Sequence, residues 1–196
     1  MLGDALSSDD TGNTESRRPT NMRGRIGGMP TVPRNIIVMG VAGCGKSTVA
    51  AKLAQHLGYS FAEGDDFHSE ANRAKQHAGI PLTDADREPW LIEIRNWIAE
   101  HNNKGLCTVV ACSALKRRYR DILADNPGTT QFVHLAPPRQ ENMKRIRERS
   151  GHFMNPDLLE NQYASLEELA PDESGFTVTD PGPPEAVLAA VHERLH

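Results

Sequence analysis

The sequence predicts an α/β fold, a parallel sheet flanked by helices on both faces, and three observations carry that expectation. Short β-branched apolar runs alternate with stretches whose apolar residues recur every three to four positions, the pattern of strands linked by crossover helices. A glycine-punctuated turn leads from the first run straight into a helical pattern. The polar segments richest in chemistry all follow strand ends, where ligands collect in sheets of this kind.

From Asn35 the elements read in order. Residues 36–39 form the first strand, and residues 47–57 a helix with Ala50, Leu53, Ala54 and Leu57 on one side. Gly58 closes that helix, and residues 59–62 make a short second strand. A polar helix through Asn72 and Lys75 ends near Gly79. Asp84 or Asp86 is expected to cap the next helix, where Trp90, Leu91, Ile94, Trp97 and Ile98 bury one stripe. Both tryptophans read as core rather than as base-stacking groups. Residues 108–112 form a third strand, fully apolar in aspect, followed by a helix over 116–125 and a fourth strand over 131–135. A strongly charged helix spans 141–149, a shorter one 157–162, a last strand 177–179 and a terminal amphipathic helix 184–195.

The loop after the first strand names its own ligand. Gly40, Val41, Ala42, Gly43, Cys44, Gly45, Lys46, Ser47 and Thr48 fit the spacing G-x-x-x-x-G-K-[ST] between a strand and a helix. Glycines let successive N–H groups curl inward onto phosphate oxygens, and the helix start adds unpaired donors and a positive dipole end. Lys46 would reach the β- and γ-phosphates, and the Ser47 hydroxyl would ligate Mg²⁺. The loop binds a nucleoside triphosphate, so the fold is a P-loop NTPase-like sheet. The charged helix over 141–149 precedes Ser150 and Gly151, which suggests a small helical lid over about 139–156, hinged to close on ATP.

Composition sets the surroundings. With 196 residues the chain is most simply one domain over 34–196, preceded by a tail over 1–33. That tail is rich in Ser, Thr, Asp, Gly, Arg and Pro without periodicity, and is expected to be disordered; Met22 or Met29 is an alternative start. A net charge of −4 gives no global field for nucleic acid or an anionic membrane. No apolar run approaches a membrane span, and three cysteines without metal or disulfide spacing suit a reducing cytoplasm.

A second constellation lies beside the loop. Asp65, Asp66 and His68 follow one strand; Asp84, Asp86 and Arg87 precede a helix; Ser113, Lys116, Arg117, Arg118 and Arg120 follow the third strand. A carboxylate beside the phosphates can accept or orient the proton of an acceptor hydroxyl, and guanidinium groups can grip a carboxylate or phosphoryl group. Arg118 reads as a solvated surface charge. The buried strand ends in Ala111, Cys112 and Ser113, where phosphate-loop proteins often place a metal-holding Asp. Metal support therefore falls to Ser47 with Glu63 or Asp65, or to water.

The phosphate loop, Gly64-Asp65-Asp66-x-His68, the run from Gly79 through Arg87 to Leu91, the run from Cys112 to Asp121 and His152-Phe153-Met154 together resemble the gluconokinases, small kinases of the shikimate-kinase and adenylate-kinase type. The resemblance covers about residues 36–195. It implies ATP- and Mg²⁺-dependent phosphorylation of D-gluconate at its 6-hydroxyl, a core sheet with a mobile lid, and a homodimer. On the matching positions it makes Asp65 the base or orienter of the acceptor hydroxyl. It places His68, Arg87, Ser113, Arg117 and Arg120 in the gluconate pocket. Arg149 becomes the lid arginine, Arg145 the residue stacked on adenine, and residues 179–184, with Pro181 and Pro184, the adenine-side loop. Departures are His68-Ser69, Lys75-Gln76, Ala42 and Cys44 in the loop, and the proline-rich Pro181-Gly182-Pro183. A kinase for another small acid or for a nucleotide, and a non-catalytic nucleotide-binding regulator, are the alternatives; Lys46, Asp65 and Arg149 are all present against the last.

Overall fold

The computed structural model describes residues 32–148, 156–179 and 182–195. Five parallel strands, β1 (Arg34–Met39), β2 (Ser60–Glu63), β3 (Thr108–Ala111), β4 (Thr129–Leu135) and β5 (Gly175–Val178), lie in the order β2-β3-β1-β4-β5. The helices between them are α1 (Lys46–Leu57), α2 (Glu70–His77), α3 (Asp84–Asn103), α4 (Arg117–Ala124), α5 (Arg139–Glu148), α6 (Pro156–Ser165) and α7 (Pro184–Arg194). The expected architecture is present, with strand and helix ends displaced by up to three residues. The expected tail lies outside the described residues except for Val32 and Pro33.

β1 shows why the strands read as unbroken apolar runs. Ile36 and Val38 point to a layer built from Val49, Ala50, Leu53, Val187 and Val191 of α1 and α7. Ile37 and Met39 point to the opposite layer, with Trp90, Leu91, Ile94 and Ile98 of α3 and Leu123 of α4. A strand covered on both faces has no side that must be polar. The amino end of the sheet is closed by amides: Asn35 Nδ2 donates to Asn102 Oδ1 (3.0 Å) and Asn126 Oδ1 (2.8 Å), while Asn102 Nδ2 and Thr108 Oγ1 donate to Asn35 Oδ1 (each 2.9 Å). The polar groups of this end are matched to one another, and the phosphate loop sits at the other end.

α3 corrects one expectation. Its cap is Thr83, not Asp84 or Asp86: the Thr83 hydroxyl accepts from the Asp86 N–H (3.2 Å), and the Asp86 carboxylate accepts from the Thr83 N–H (2.9 Å). Asp86 is the return partner of a capping box. It also takes Lys75 Nζ at 2.6 Å, and these bonds hold its carboxyl down at about 2. Among the described residues no helix is long and apolar enough to cross a membrane.

Candidate active site

The loop between β1 and α1 has the backbone shape its glycines require. Gly40 has φ +137°, and a Cβ there would lie 2.6 Å from the Leu135 carbonyl oxygen. Gly43 has φ +80°, and a Cβ would press into Ile146 of α5 at 2.4 Å. Lys46, the first residue of α1, folds back to donate to the Val41 carbonyl at 2.9 Å. Beside the loop, a cavity of about 420 Å³ is lined by Gly43, Gly45, Thr48, Arg145, Gly182 and Pro184. Arg145 donates to the Gly182 carbonyl (3.2 Å), bringing α5 against the turn that starts α7. Arg145 and Pro184, two of the three residues assigned to the adenine side, thus line one cavity beside the phosphate loop; Pro181, Arg149 and residues 150–155 lie outside the described residues.

At the carboxyl end of β2 the chain enters a tight turn, Gly64–Phe67. Trp90 Nε1 donates to the Gly64 carbonyl at 2.6 Å, so this tryptophan is a core residue that also pins the turn. Asp65 is left with its side chain 78 % exposed at the mouth of the site. Glu63 faces the loop. Burial pushes its carboxyl above the ordinary range; the Ser47 hydroxyl pulls it back, Asp65 pushes it up again, and Lys46 draws it down. His68 is buried, stacked on Trp90 with centroids 4.3 Å apart, and its Nε2 lies 3.9 Å from Asp65 Oδ1. Burial lowers its pKa; Asp65 opposes that shift, while Arg87 and Arg73 reinforce it. His68 Nδ1 has no hydrogen-bond partner among the described residues.

Ser113 follows β3 and its carbonyl accepts from the Gly40 N–H (3.2 Å), tying this turn to the start of the phosphate loop. The next residue, Ala114, has φ +44°, a conformation costing roughly 1–3 kcal/mol outside glycine. Burial pushes the Cys112 thiol up to about 12, which leaves it inert.

The three arginines expected around an anionic acceptor separate here. Arg120 is 1 % exposed, with Nε 2.5 Å and Nη2 2.8 Å from the carboxylate of Glu173. Its Nη1 donates to the carbonyls of Ala114 (3.2 Å), Leu115 (3.2 Å) and Glu167 (3.0 Å). Every direction of this guanidinium is taken, so its assignment to the pocket is corrected: Arg120 staples the strained Ala114 turn to the segment after α6. Arg117 is held by Asp121 (2.8 Å) and by both oxygens of Asp172 (3.0 and 3.1 Å), and these carboxylates raise its pKa. It too departs from the expected role of free acceptor-side cation. Arg118, expected to be solvated, pairs with Asp84, as does Lys116 at 3.0 Å. Arg87 donates to the Leu82 carbonyl, lies 5.9 Å from the Tyr119 ring and meets no carboxylate among the described residues.

Two residues that no sequence motif points to touch the loop. The Ala42 N–H donates to Gln162 Oε1 of α6 at 2.7 Å, and Asn142 Nδ2 of α5 donates to the Ala42 carbonyl at 3.0 Å. Both bonds join positions 100 or more residues apart, beyond the reach of any local pattern.

Residues 42–176 match the shikimate kinase family. The chain is 45 % identical over 156 residues to the gluconokinase of Gluconobacter oxydans (strain 621H), covering 80 % of this chain and 88 % of that one. The chain belongs to the gluconokinase family. The chain is also similar to a crystal structure of a sugar kinase from Janibacter sp. HTCC2649, with a TM-score of 0.79, 44 % identity and coverage of 83 % and 94 % of the two chains. A gluconokinase structure from Sinorhizobium meliloti 1021 gives a TM-score of 0.70, 39 % identity and coverage of 84 % and 97 %. The chain is an ATP-dependent kinase built on the phosphate loop.

Proposed function

We propose that the chain transfers the γ-phosphoryl group of ATP to the 6-hydroxyl of D-gluconate, giving 6-phospho-D-gluconate and ADP. One observation carries the reading beyond the family: the exposed Asp65 stands next to the phosphate loop with buried His68 at its side and Arg87 free of any carboxylate among the described residues. Asp65 accepts or orients the hydroxyl proton, the hydroxyl oxygen bonds to the γ-phosphorus, and the bond to the β–γ bridging oxygen breaks as ADP leaves. Lys46 swings from the Val41 carbonyl onto the phosphates. Arg87 takes the carboxylate at the far end of the six-carbon acid, a bidentate match that a neutral sugar lacks.

Mg²⁺ fits the same site. Among the described residues no three His, Cys, Asp or Glu side chains could cage a metal. The donor set is a hydroxyl, Ser47, with the crowded carboxylates Glu63 and Asp65, which suits a cation that keeps phosphate oxygens and water. When bound it neutralises charge on the phosphates. Arg149 and the rest of residues 149–155 belong to the reading as a lid that closes over ATP. Cytoplasmic residence rests on the three unpaired thiols Cys44, Cys107 and Cys112, and a homodimer on the family resemblance.

An ADP-release assay over a panel of sugar acids, neutral sugars and nucleoside monophosphates tests the assignment. Gluconate should exceed sorbitol and glucose in kcat/KM by roughly 10²–10³-fold, and Arg87→Ala should remove most of that margin by weakening gluconate alone. Equal rates on gluconate and sorbitol would leave only a small-molecule kinase.

A further inference from the structure

A phosphate loop works only if its peptides face the right way, and two side chains outside the loop hold two successive peptides here. The first joins Val41 to Ala42. Its N–H donates to Gln162 Oε1 (2.7 Å), and its carbonyl accepts from Lys46 Nζ (2.9 Å). The second joins Ala42 to Gly43. Its carbonyl accepts from Asn142 Nδ2 (3.0 Å), and among the described residues no acceptor meets its N–H. A trans peptide is planar, with N–H and C=O pointing opposite ways. Fixing one end therefore aims the other. Gln162 sets where the Val41 carbonyl receives the Lys46 ammonium, and Asn142 turns the Gly43 N–H away from α5.

The side chains themselves are held. Asn142 is fully buried, and its Nδ2 also donates to the Tyr163 hydroxyl at 3.0 Å, next in sequence to Gln162. Tyr163 in turn lies under the Arg139 guanidinium, 5.0 Å from its ring centre. Ile146, one turn after Asn142, stands where a Cβ on Gly43 would go. Asn142 and Gln162 thus form a bracket, one from each of the two helices that flank residues 149–155, and they clasp the same loop residue.

We propose that Gln162 and Asn142 are positioning residues for nucleotide binding: they preset the Val41–Ala42 and Ala42–Gly43 peptides so that Lys46 is parked in reach and the Gly43 N–H is aimed at the terminal phosphates. Preset donors need no reorganisation when the phosphates arrive, which is what makes such a loop tight. The inference rests on the loop binding nucleotide and is independent of the acceptor.

The test uses the full chain without acceptor. Gln162→Met keeps side-chain length and removes the acceptor oxygen. ADP and ATP affinities, measured by calorimetric titration with Mg²⁺, should each fall by about tenfold, the factor corresponding to about 1.4 kcal/mol of lost hydrogen bonding. The Ala42 amide should exchange with deuterium faster in the nucleotide-free protein, while Tm stays within a few degrees. Asn142→Leu should weaken both nucleotides as well; if it does not fold, Gln162→Met decides alone. Affinities within twofold of wild type, with Ala42 exchange accelerated, would make the bracket merely structural and overturn the proposal. Tighter ATP binding would overturn it too, showing that the Gln162 oxygen competes with phosphate. Weakened binding with unchanged Ala42 exchange would also defeat it, because Gln162 would then act by another route.

Discussion

Removing the Arg120 side chain should unfold this protein before it alters substrate choice. In Arg120→Ala the Glu173 carboxylate, 5 % exposed, loses its two bonds of 2.5 and 2.8 Å. The carbonyls of Ala114, Leu115, Glu167 and Glu168 lose donors at the same time. Stranding one partner of a buried ion pair costs roughly 3–5 kcal/mol. For a domain of this size each kcal/mol lowers Tm by about 2–4 °C, so the drop should be roughly 6–20 °C. Differential scanning calorimetry reads it, with the ADP-release assay run well below the variant's Tm. The apolar double variant Arg120→Met, Glu173→Leu should recover much of the loss, because it strands no charge. The pair also has an acid limit. Arg120 holds the Glu173 carboxyl below its ordinary value, so its stabilisation is present above the unfolded glutamate pKa of about 4.3. It is lost as pH falls through the lower folded value, and the gap between wild type and variant should close there. A Tm within 2 °C of wild type, together with a selectively raised gluconate KM, would refute the staple and return Arg120 to the pocket.

Three further outcomes are expected. Asp65→Asn should lower kcat by roughly 10²–10⁴-fold with little change in ATP affinity, since the amide cannot take the hydroxyl proton; a loss under threefold would remove Asp65 from the chemistry. Burial lowers the pKa of both His68 and His134, so the fold holds them neutral and the unfolded chain binds more protons below about 6.5. Stability should be level above that pH and decline below it, and His68→Gln with His134→Gln should flatten the decline; an equally steep profile would count against the histidines. Deleting residues 1–31 should leave turnover and Tm nearly unchanged, because each assigned site residue lies at or beyond Gly40; a many-fold loss of turnover with the fold intact would show the tail to be part of the machine.

What the sequence makes legible is local. A strand, a glycine turn, a lysine and a helix start lie within fifteen residues, from Arg34 to Thr48, and each constrains the next. The Asp65 turn is readable for the same reason: a carboxylate two residues past a strand end has few places to go. The cap of α3 falls one residue before the expected position, although Thr83 and Asp86 carry the capping-box spacing, because Asp84 and Asp86 compete for the same role in sequence. Arg117 and Arg120 are out of reach. Their partners Asp172 and Glu173 lie 53 to 55 residues onward, and nothing near α4 tells where that later segment returns.

That return decides which cations of the acceptor side are paired. The acceptor side presents Arg87, Lys116, Arg117, Arg118 and Arg120, a cluster that looks able to grip any acid. Asp84 takes Lys116 and Arg118, Asp121 and Asp172 take Arg117, and Glu173 takes Arg120. Each pair removes a cation from competition and sets a rigid wall instead; apart from the buried Arg120–Glu173 pair, they are partly exposed and add little stability of their own. Arg87 remains, beside a histidine that burial keeps uncharged. A pocket with five free cations would hold phosphates, nucleotides and acids of many lengths, whereas on the proposed reading Arg87 and Asp65 would measure the chain between a carboxylate and a hydroxyl. On that reading selectivity would follow from neutralising four of the five, so freeing Arg117 by Asp121→Asn together with Asp172→Asn should broaden the acceptor range rather than sharpen it.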